Sequence, residues 1–290
     1  MKKYLFLALA AIALTCISCE QKNNNGGGGG GDNEPTTPTI NPKDVTAKDM
    51  VGEWRVDSTY FNDEIDPDGR YAIKVTLDTI YSIKGAIPYT VADGIITVTL
   101  EDYDFKTDQT TQREAHLEIL TFDNVNKRAS FKEADAKDYY GTDGVKMIYV
   151  TAYPVPTGKD LAVTEENIKG SWLIEYEEYR SGDQPLEKQV SPHWVFQVFG
   201  ENHYYLDLLA TNPRDYTDSY PHPGYWWFVD GEIAAMSTSK DFDEITLDEV
   251  TGGWYKVEKL TENFMIIHDS WDTGDSYKYM SRVPDVQLPE

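Results

Sequence analysis

Residues able to do covalent or metal chemistry are few in this chain. Cysteine occurs twice, at Cys16 and Cys19, and histidine at His116, His193, His203, His222 and His268. No histidine pair stands at an H-x-H or H-x-x-x-H spacing, so the spacing predicts no metal site. Glu64-Ile65-Asp66-Pro67-Asp68-Gly69 opens like a calcium loop, but it starts on glutamate and its twelfth residue is Val75. Pro67-Asp68-Gly69 therefore reads as a hairpin turn, and Asp241–Glu244 and Asp272–Asp275 read as turns too. No G-x-S-x-G or H-E-x-x-H motif occurs, and the glycine run Gly26–Gly31 has the wrong flanks for a phosphate loop. Glu175, Glu177 and Glu178 alternate with apolar residues and read as a solvated strand face. The expectation is no catalytic residue, no metal, no cofactor and no enzymatic activity.

Non-covalent chemistry is better represented. Tyr220 to Phe228 is dense in rings, and His203-Tyr204-Tyr205 and His193-Trp194 lie near it in sequence. Aromatic faces suit apolar ligands and sugars alike, and they equally suit core packing or a domain interface. The candidate ligand-binding residues are Tyr225, Trp227, His203 and Trp194. Neighbours on a strand point to opposite faces, so Trp226 and Trp227 cannot share one core. Laying Asp93-Gly94 on Asp230-Gly231 sets Tyr89, Thr90 and Val91 against Trp226, Trp227 and Phe228. That register predicts Trp226 and Phe228 inside, with Tyr225 and Trp227 outside.

The elements that carry these residues begin with a leader. Lys2-Lys3 precedes an apolar run from Tyr4 to Thr15, and polar sequence starts at Glu20. This is a secretory signal peptide, too short in its core to span a bilayer. Ser18-Cys19 resembles the lipobox of bacterial lipoproteins, which implies acylation of Cys19 and a lipid-anchored protein of the outer membrane or periplasm. Cys16, with Thr15 before it, is the weaker alternative. With Cys19 acylated and residues 1–18 removed, the mature domains have no thiol. Residues 20–44 form an Asn/Gly/Pro tether with a reach on the order of 30 Å. The chain carries 26 Lys+Arg against 50 Asp+Glu. So acidic a surface excludes nucleic acid and repels anionic membrane.

Beyond the tether the sequence repeats. Val45-Thr46-Ala47-Lys48-Asp49-Met50-Val51-Gly52-Glu53-Trp54 returns as Val163-Thr164-Glu165-Glu166-Asn167-Ile168-Lys169-Gly170-Ser171-Trp172. Thr46 and Thr164 suit a helix N-cap, and Val45/Met50 and Val163/Ile168 suit a hydrophobic staple. Gly52 and Gly170 suit a left-handed helix end, so a one-turn helix runs directly into a strand opening on Trp54 or Trp172. Two further matches follow in order: Val91–Ile96 with Val229–Ala234, and Leu117–Thr121 with Val257–Thr261. The second copy holds an insertion, expected around Arg180 to Trp194. The predicted division is domain 1 over 45–153, a linker over 154–162 with two prolines and a glycine, and domain 2 over 163–285. Short alternating runs separated by Asp-Gly and Gly-Gly turns predict an all-β fold, two tandem antiparallel meander barrels each entered by a one-turn helix.

A short helix, then G-x-W opening a meander of hairpins, resembles the lipocalin-like domains of Gram-negative lipoproteins. Gly52-Glu53-Trp54, Gly170-Ser171-Trp172, Tyr255–Thr261 and Tyr277–Arg282 carry the resemblance. It implies that Trp54 and Trp172 plug the closed ends of barrels, that Gly52 and Gly170 are structural with them, and that Arg282 lies beside Trp172. Copy one has Ala152 or Tyr153 near that place. The resemblance implies binding of a small apolar or glycan-like ligand. The alternative is a non-enzymatic accessory or adhesive cell-envelope module that contacts a protein partner of unknown identity and holds no cargo.

Overall fold

The computed structural model describes residues 39–286 except 83–84, 105–108, 139–141, 183, 213–214, 251–252, 272 and 285. The leader, Cys16, Cys19 and the tether up to residue 38 lie outside the described residues. The chain forms two compact units that divide after Ala152, with Arg70–Ala72 grouped with the second.

The first unit has one helix, α1 (Ala47–Met50), and nine strands: β1 (Gly52–Phe61), β2 (Glu64–Asp66), β3 (Tyr71–Val75), β4 (Thr79–Ser82), β5 (Gly85–Ala92), β6 (Ile95–Asp104), β7 (Gln109–Asp123), β8 (Arg128–Lys137) and β9 (Asp143–Thr151). β2 folds back on β1 as a short flap. The other eight run as an antiparallel meander that closes where β9 pairs with β1. The second unit repeats this strand for strand. Its helix is α2 (Glu165–Ile168), and its strands are β10 (Gly170–Ser181), β11 (Glu187–Gln189), β12 (Trp194–Phe199), β13 (Tyr204–Asn212), β14 (Asp215–Val229), β15 (Glu232–Ser237), β16 (Trp254–Leu260), β17 (Phe264–Trp271) and β18 (Gly274–Val283). β11 is the flap, and β18 closes the barrel on β10. The chain is thus two closed eight-stranded barrels in tandem, each entered by a single helical turn.

Local chemistry explains the entry. The Thr46 N–H and hydroxyl both donate to the Asp49 carboxylate, at 2.8 and 2.6 Å. These bonds hold the Asp49 pKa below its usual value. In the second copy the Thr164 hydroxyl accepts from the Asn167 N–H. Trp54 and Trp172 then reach back, and each indole N–H donates to the last helical carbonyl, Met50 or Ile168, at 2.8 Å. Such a bond satisfies one of the carbonyls that any helix end leaves open. Gly52 and Gly170 have φ of +147° and +127°. That is a more extended glycine-only region than the left-handed cap expected from sequence; the capping residues are Val51 and Lys169. Asp93-Gly94 and Asp230-Gly231 have positive φ at both positions, the backbone a tight two-residue hairpin requires.

Three details depart from the sequence reading. Residues 154–162 are not a free linker: the Leu161 N–H donates to the Leu260 carbonyl, the Glu262 N–H to the Lys159 carbonyl, and the Thr261 hydroxyl to the Thr157 carbonyl. The Ile40 N–H donates to the Phe122 carbonyl in the same way, so the repeat includes an arm ahead of the V-T motif. The extra residues of copy two are also more spread out than expected. β4 and β5 have 4 and 8 residues where β13 and β14 have 9 and 15. Finally, bulges fall between Ile119 and Thr121 and between Val257 and Lys259. Ile119, not Leu117, is therefore the counterpart of Val257. A slip of two residues leaves the inward face unchanged, which is why the sequence match could not detect it.

A third entry motif sits inside the second unit. Ile245-Thr246-Leu247-Asp248-Glu249-Val250-Thr251-Gly252-Gly253-Trp254 repeats the pattern of residues 45–54. Its Thr246 N–H donates to Glu249 at 2.8 Å, and the Trp254 indole donates to the Val250 carbonyl at 3.0 Å. The helical turn is a 3-10 turn, Leu247–Glu249, and Trp254 is 37% exposed.

Candidate functional site

The plug residues are placed first. Trp54 and Trp172 are buried, and Trp172 belongs to a core cluster with Ile168, Phe199, Trp226, Ile233, Ile267 and Met280. The Arg282 guanidinium stands 4.2 Å from the centre of the Trp172 ring and donates to the Lys169 and Asn167 carbonyls. Copy one supplies its cation from another position. The Ala152 N–H donates to the Lys127 carbonyl as that of Arg282 does to Asn263, which makes Ala152 the counterpart of Arg282. Lys127 places its ammonium 5.5 Å from the Trp54 ring.

Three of the four candidate aromatic residues meet on the outside of the second barrel. Trp226 is buried inside, while Tyr225 and Trp227 point outward and are half-buried. His203 lies 6.0 Å from Trp227, its Nδ1 3.0 Å from the Trp226 carbonyl oxygen. The covering group is one that sequence reasoning missed. Phe242, on a 3-10 turn after β15, stacks on His203 at 5.2 Å and meets Tyr225 at 5.1 Å and Trp227 at 6.1 Å. Trp194 does not join them. It pairs with Ala210, whereas Tyr225 pairs with Tyr204, six residues back along β13 and roughly 20 Å away. Trp194 stands next to Val195, which packs on the core, so it points outward at the other end of β12.

A more polar site lies inside the second barrel. Cross-strand partners share a face, and Trp172 pairs with Gln197, Gln197 with Asp207, and Asp207 with His222. Trp172 faces the core, so this row faces inward. Glu177 pairs with Lys278 and Lys278 with the core residue Ile267, which brings both charges inward; Asp269 follows by alternation. The expectation of a solvated face for Glu175 and Glu177 fails here. Glu175 is buried, and Glu177 accepts from the buried Ser276 hydroxyl at 3.3 Å. Closure of β10 on β18, which no local pattern reveals, turned Glu177 away from water; Glu175 stands at the bulge between Ile174 and Tyr176.

Above this waist, away from α2, stands an aromatic rim. Tyr179 and Trp271 stack at 5.8 Å, and the same alternation brings Tyr220 to the inward face. Trp271 and Tyr220 are 40% and 64% exposed. Gly274 makes room for Trp271: a Cβ there would stand 2.8 Å from Cζ2.

Burial sets the electrostatics of the waist. It raises the Asp207 pKa in spite of Lys278 and His222. It works to lower that of Lys278, but Tyr255, Glu177 and Asp207 outweigh it and hold the ammonium charged. Lys278 Nζ lies 4.7 Å from the Tyr255 ring centre. Burial drives the Tyr205 phenol well above its usual value, against a hydrogen bond from Gln197. Gln197 is 2% exposed, and its Oε1 and Asp207 Oδ1 have no hydrogen-bond partner among the described residues.

The first barrel differs. Its closed end is wholly apolar, with a cavity of about 30 Å³ lined by Trp54, Ile96, Leu117, Phe131 and Ile148 among others. Among the described residues its inward charges are Glu133, Arg113 and Lys146, with Arg113 2.6 Å from Glu133.

No known protein family matches the sequence, and no curated protein does. Among solved structures, one similar chain is a protein of unknown function from the DUF3598 family of Nostoc punctiforme PCC 73102. It is 9% identical with a TM-score of 0.20, over 81% of this chain and 97% of that one. So loose a likeness carries no argument about function.

Proposed function

We propose that this protein is a lipid-anchored, non-enzymatic lipoprotein with two lipocalin-like barrels, the second of which holds a small glycan-like ligand. One observation carries the reading: the waist of the second barrel presents two buried acceptors, Gln197 Oε1 and Asp207 Oδ1, without hydrogen-bond partners among the described residues. Buried acceptors without partners cost stability, and a ligand hydroxyl or amine would satisfy them. The rim rings Tyr179, Trp271 and Tyr220 suit the apolar face of a sugar. The first barrel, apolar at its closed end, serves in this reading as scaffold. Cys19 holds the protein at the membrane, and the tether keeps the barrels clear of the headgroups.

Native mass spectrometry of protein extracted from membranes tests the cargo. A discrete added mass that is lost in Trp271→Ala supports the reading; an unliganded mass for both proteins, with no binding of any sugar probe, refutes it. Fractionation tests the anchor. Cys19→Ala should free the protein or leave its precursor uncut, and retention with normal processing would remove Cys19 from the role.

A further inference from the structure

We infer that the ligand of the second barrel carries an ammonium group, seated between the carboxylate waist and the aromatic rim. The inference deepens the proposed function and rests on it. Among the described residues three carboxylates face inward here, Glu177, Asp207 and Asp269, against one ammonium, Lys278. His222 is the other titratable cation on this face. Lys278 faces Tyr255, Glu177 and Asp207 together, so one ammonium is shared among the carboxylates and the described interior keeps a surplus of negative charge.

The hydrogen-bonding groups have the same polarity. Gln197 turns its amide N–H toward Tyr205, which leaves Oε1, an acceptor, facing in. Asp207 is its direct cross-strand partner and offers Oδ1, also an acceptor. Directly opposed residues have Cβ atoms about 5 Å apart, so one –NH3+ can donate to both oxygens and still hold a third donor for water or Glu177. A neutral hydroxyl has a single proton and satisfies only one of them. Above, Tyr179 and Trp271 stack on one another and Tyr220 stands on the inward face, and aromatic rings attract cations. Carboxylates below and rings above form an ammonium-binding arrangement. Among the described residues of the first barrel the balance differs: two cations, Arg113 and Lys146, flank one carboxylate, Glu133.

The ammonium could belong to an amino sugar or to a free polyamine, and the test separates them. Residues 20–290 are titrated by calorimetry with D-glucosamine, N-acetyl-D-glucosamine, D-glucose and putrescine. Glucosamine should bind at least about tenfold more tightly than its N-acetyl form, the loss of a charged hydrogen bond. Putrescine binding alone would assign the site to polyamines. Asp207→Asn, nearly isosteric, should remove the preference for the amine, and Trp271→Ala at the exposed rim should weaken every binding probe. Equal binding of glucosamine, its N-acetyl form and glucose would overturn the ammonium assignment and leave the glycan reading standing. Binding by none of the four, with no discrete bound mass from membranes, would overturn both.

Discussion

The entry motif occurs three times with the same indole-to-carbonyl bond and three different degrees of burial: Trp54 is 3% exposed, Trp172 0% and Trp254 37%. Truncation to alanine therefore separates the motif from its burial. A buried tryptophan withholds about 200 Å² from water, worth about 5 kcal/mol at 25 cal/mol per Å², and cores that lose such a ring are destabilised by about 3–5 kcal/mol. Trp172→Ala should fall at the top of that range, because Arg282 loses its ring as well. Trp54→Ala should fall within it. Trp254 keeps over a third of its surface in water, so its burial is worth about 3 kcal/mol as an upper bound, and solvent can fill the space left. Tryptophan to phenylalanine at each site should cost a more uniform amount, about 1 kcal/mol for the lost indole bond. Urea denaturation of residues 20–290 gives these values, with hydrogen exchange assigning each loss to its own barrel. If Trp254→Ala costs as much as Trp172→Ala, the stability lies in the local turn and the argument from burial fails.

Gly170→Ala should be more harmful than Gly52→Ala. Both have positive φ, but only at Gly170 would the Cβ meet Arg282, 2.7 Å from Nη1, and the double variant with Arg282→Ala should recover part of the loss in a denaturation midpoint. Asp207→Asn should stabilise the protein at about pH 7, because a folded pKa raised above 3.8 means that the ionised carboxylate costs stability above that pKa. The gain should shrink as pH falls and vanish below 3.8; a gain that grows toward acid reverses the sign and refutes the burial argument. An isolated second unit made as residues 163–290 should be about 2–6 kcal/mol less stable than one made as 154–290, since four hydrogen bonds to Leu260–Glu262 are lost. Equal stability would mean that the arm contributes nothing.

Much of the fold was legible in local chemistry. The repeated V-T-x-x-[DN]-[MI]-x-G-x-W motif, the Asp-Gly turns and the two-residue alternation depend on neighbours a few positions apart, and these predicted the helix-then-strand entry, the all-β meander and its tandem duplication. Alternation with one turn match also predicted the inward Trp226 and outward Trp227. A single aligned turn suffices for that, because facing depends only on odd and even positions. The third entry motif is written in the sequence as well, at residues 245–254, where no domain begins. Other features belong to tertiary structure alone. Closure of β10 on β18 turned Glu177 from a solvated residue into a partner of Lys278. Pairing of β12 with β13 set Gln197 beside Asp207, and the loop after β15 laid Phe242 on His203 and Trp227. These contacts join residues from ten to about a hundred positions apart. Whether a polar side chain on an alternating strand meets water or a barrel interior depends on which distant strand closes the sheet, and no periodicity of two can encode that.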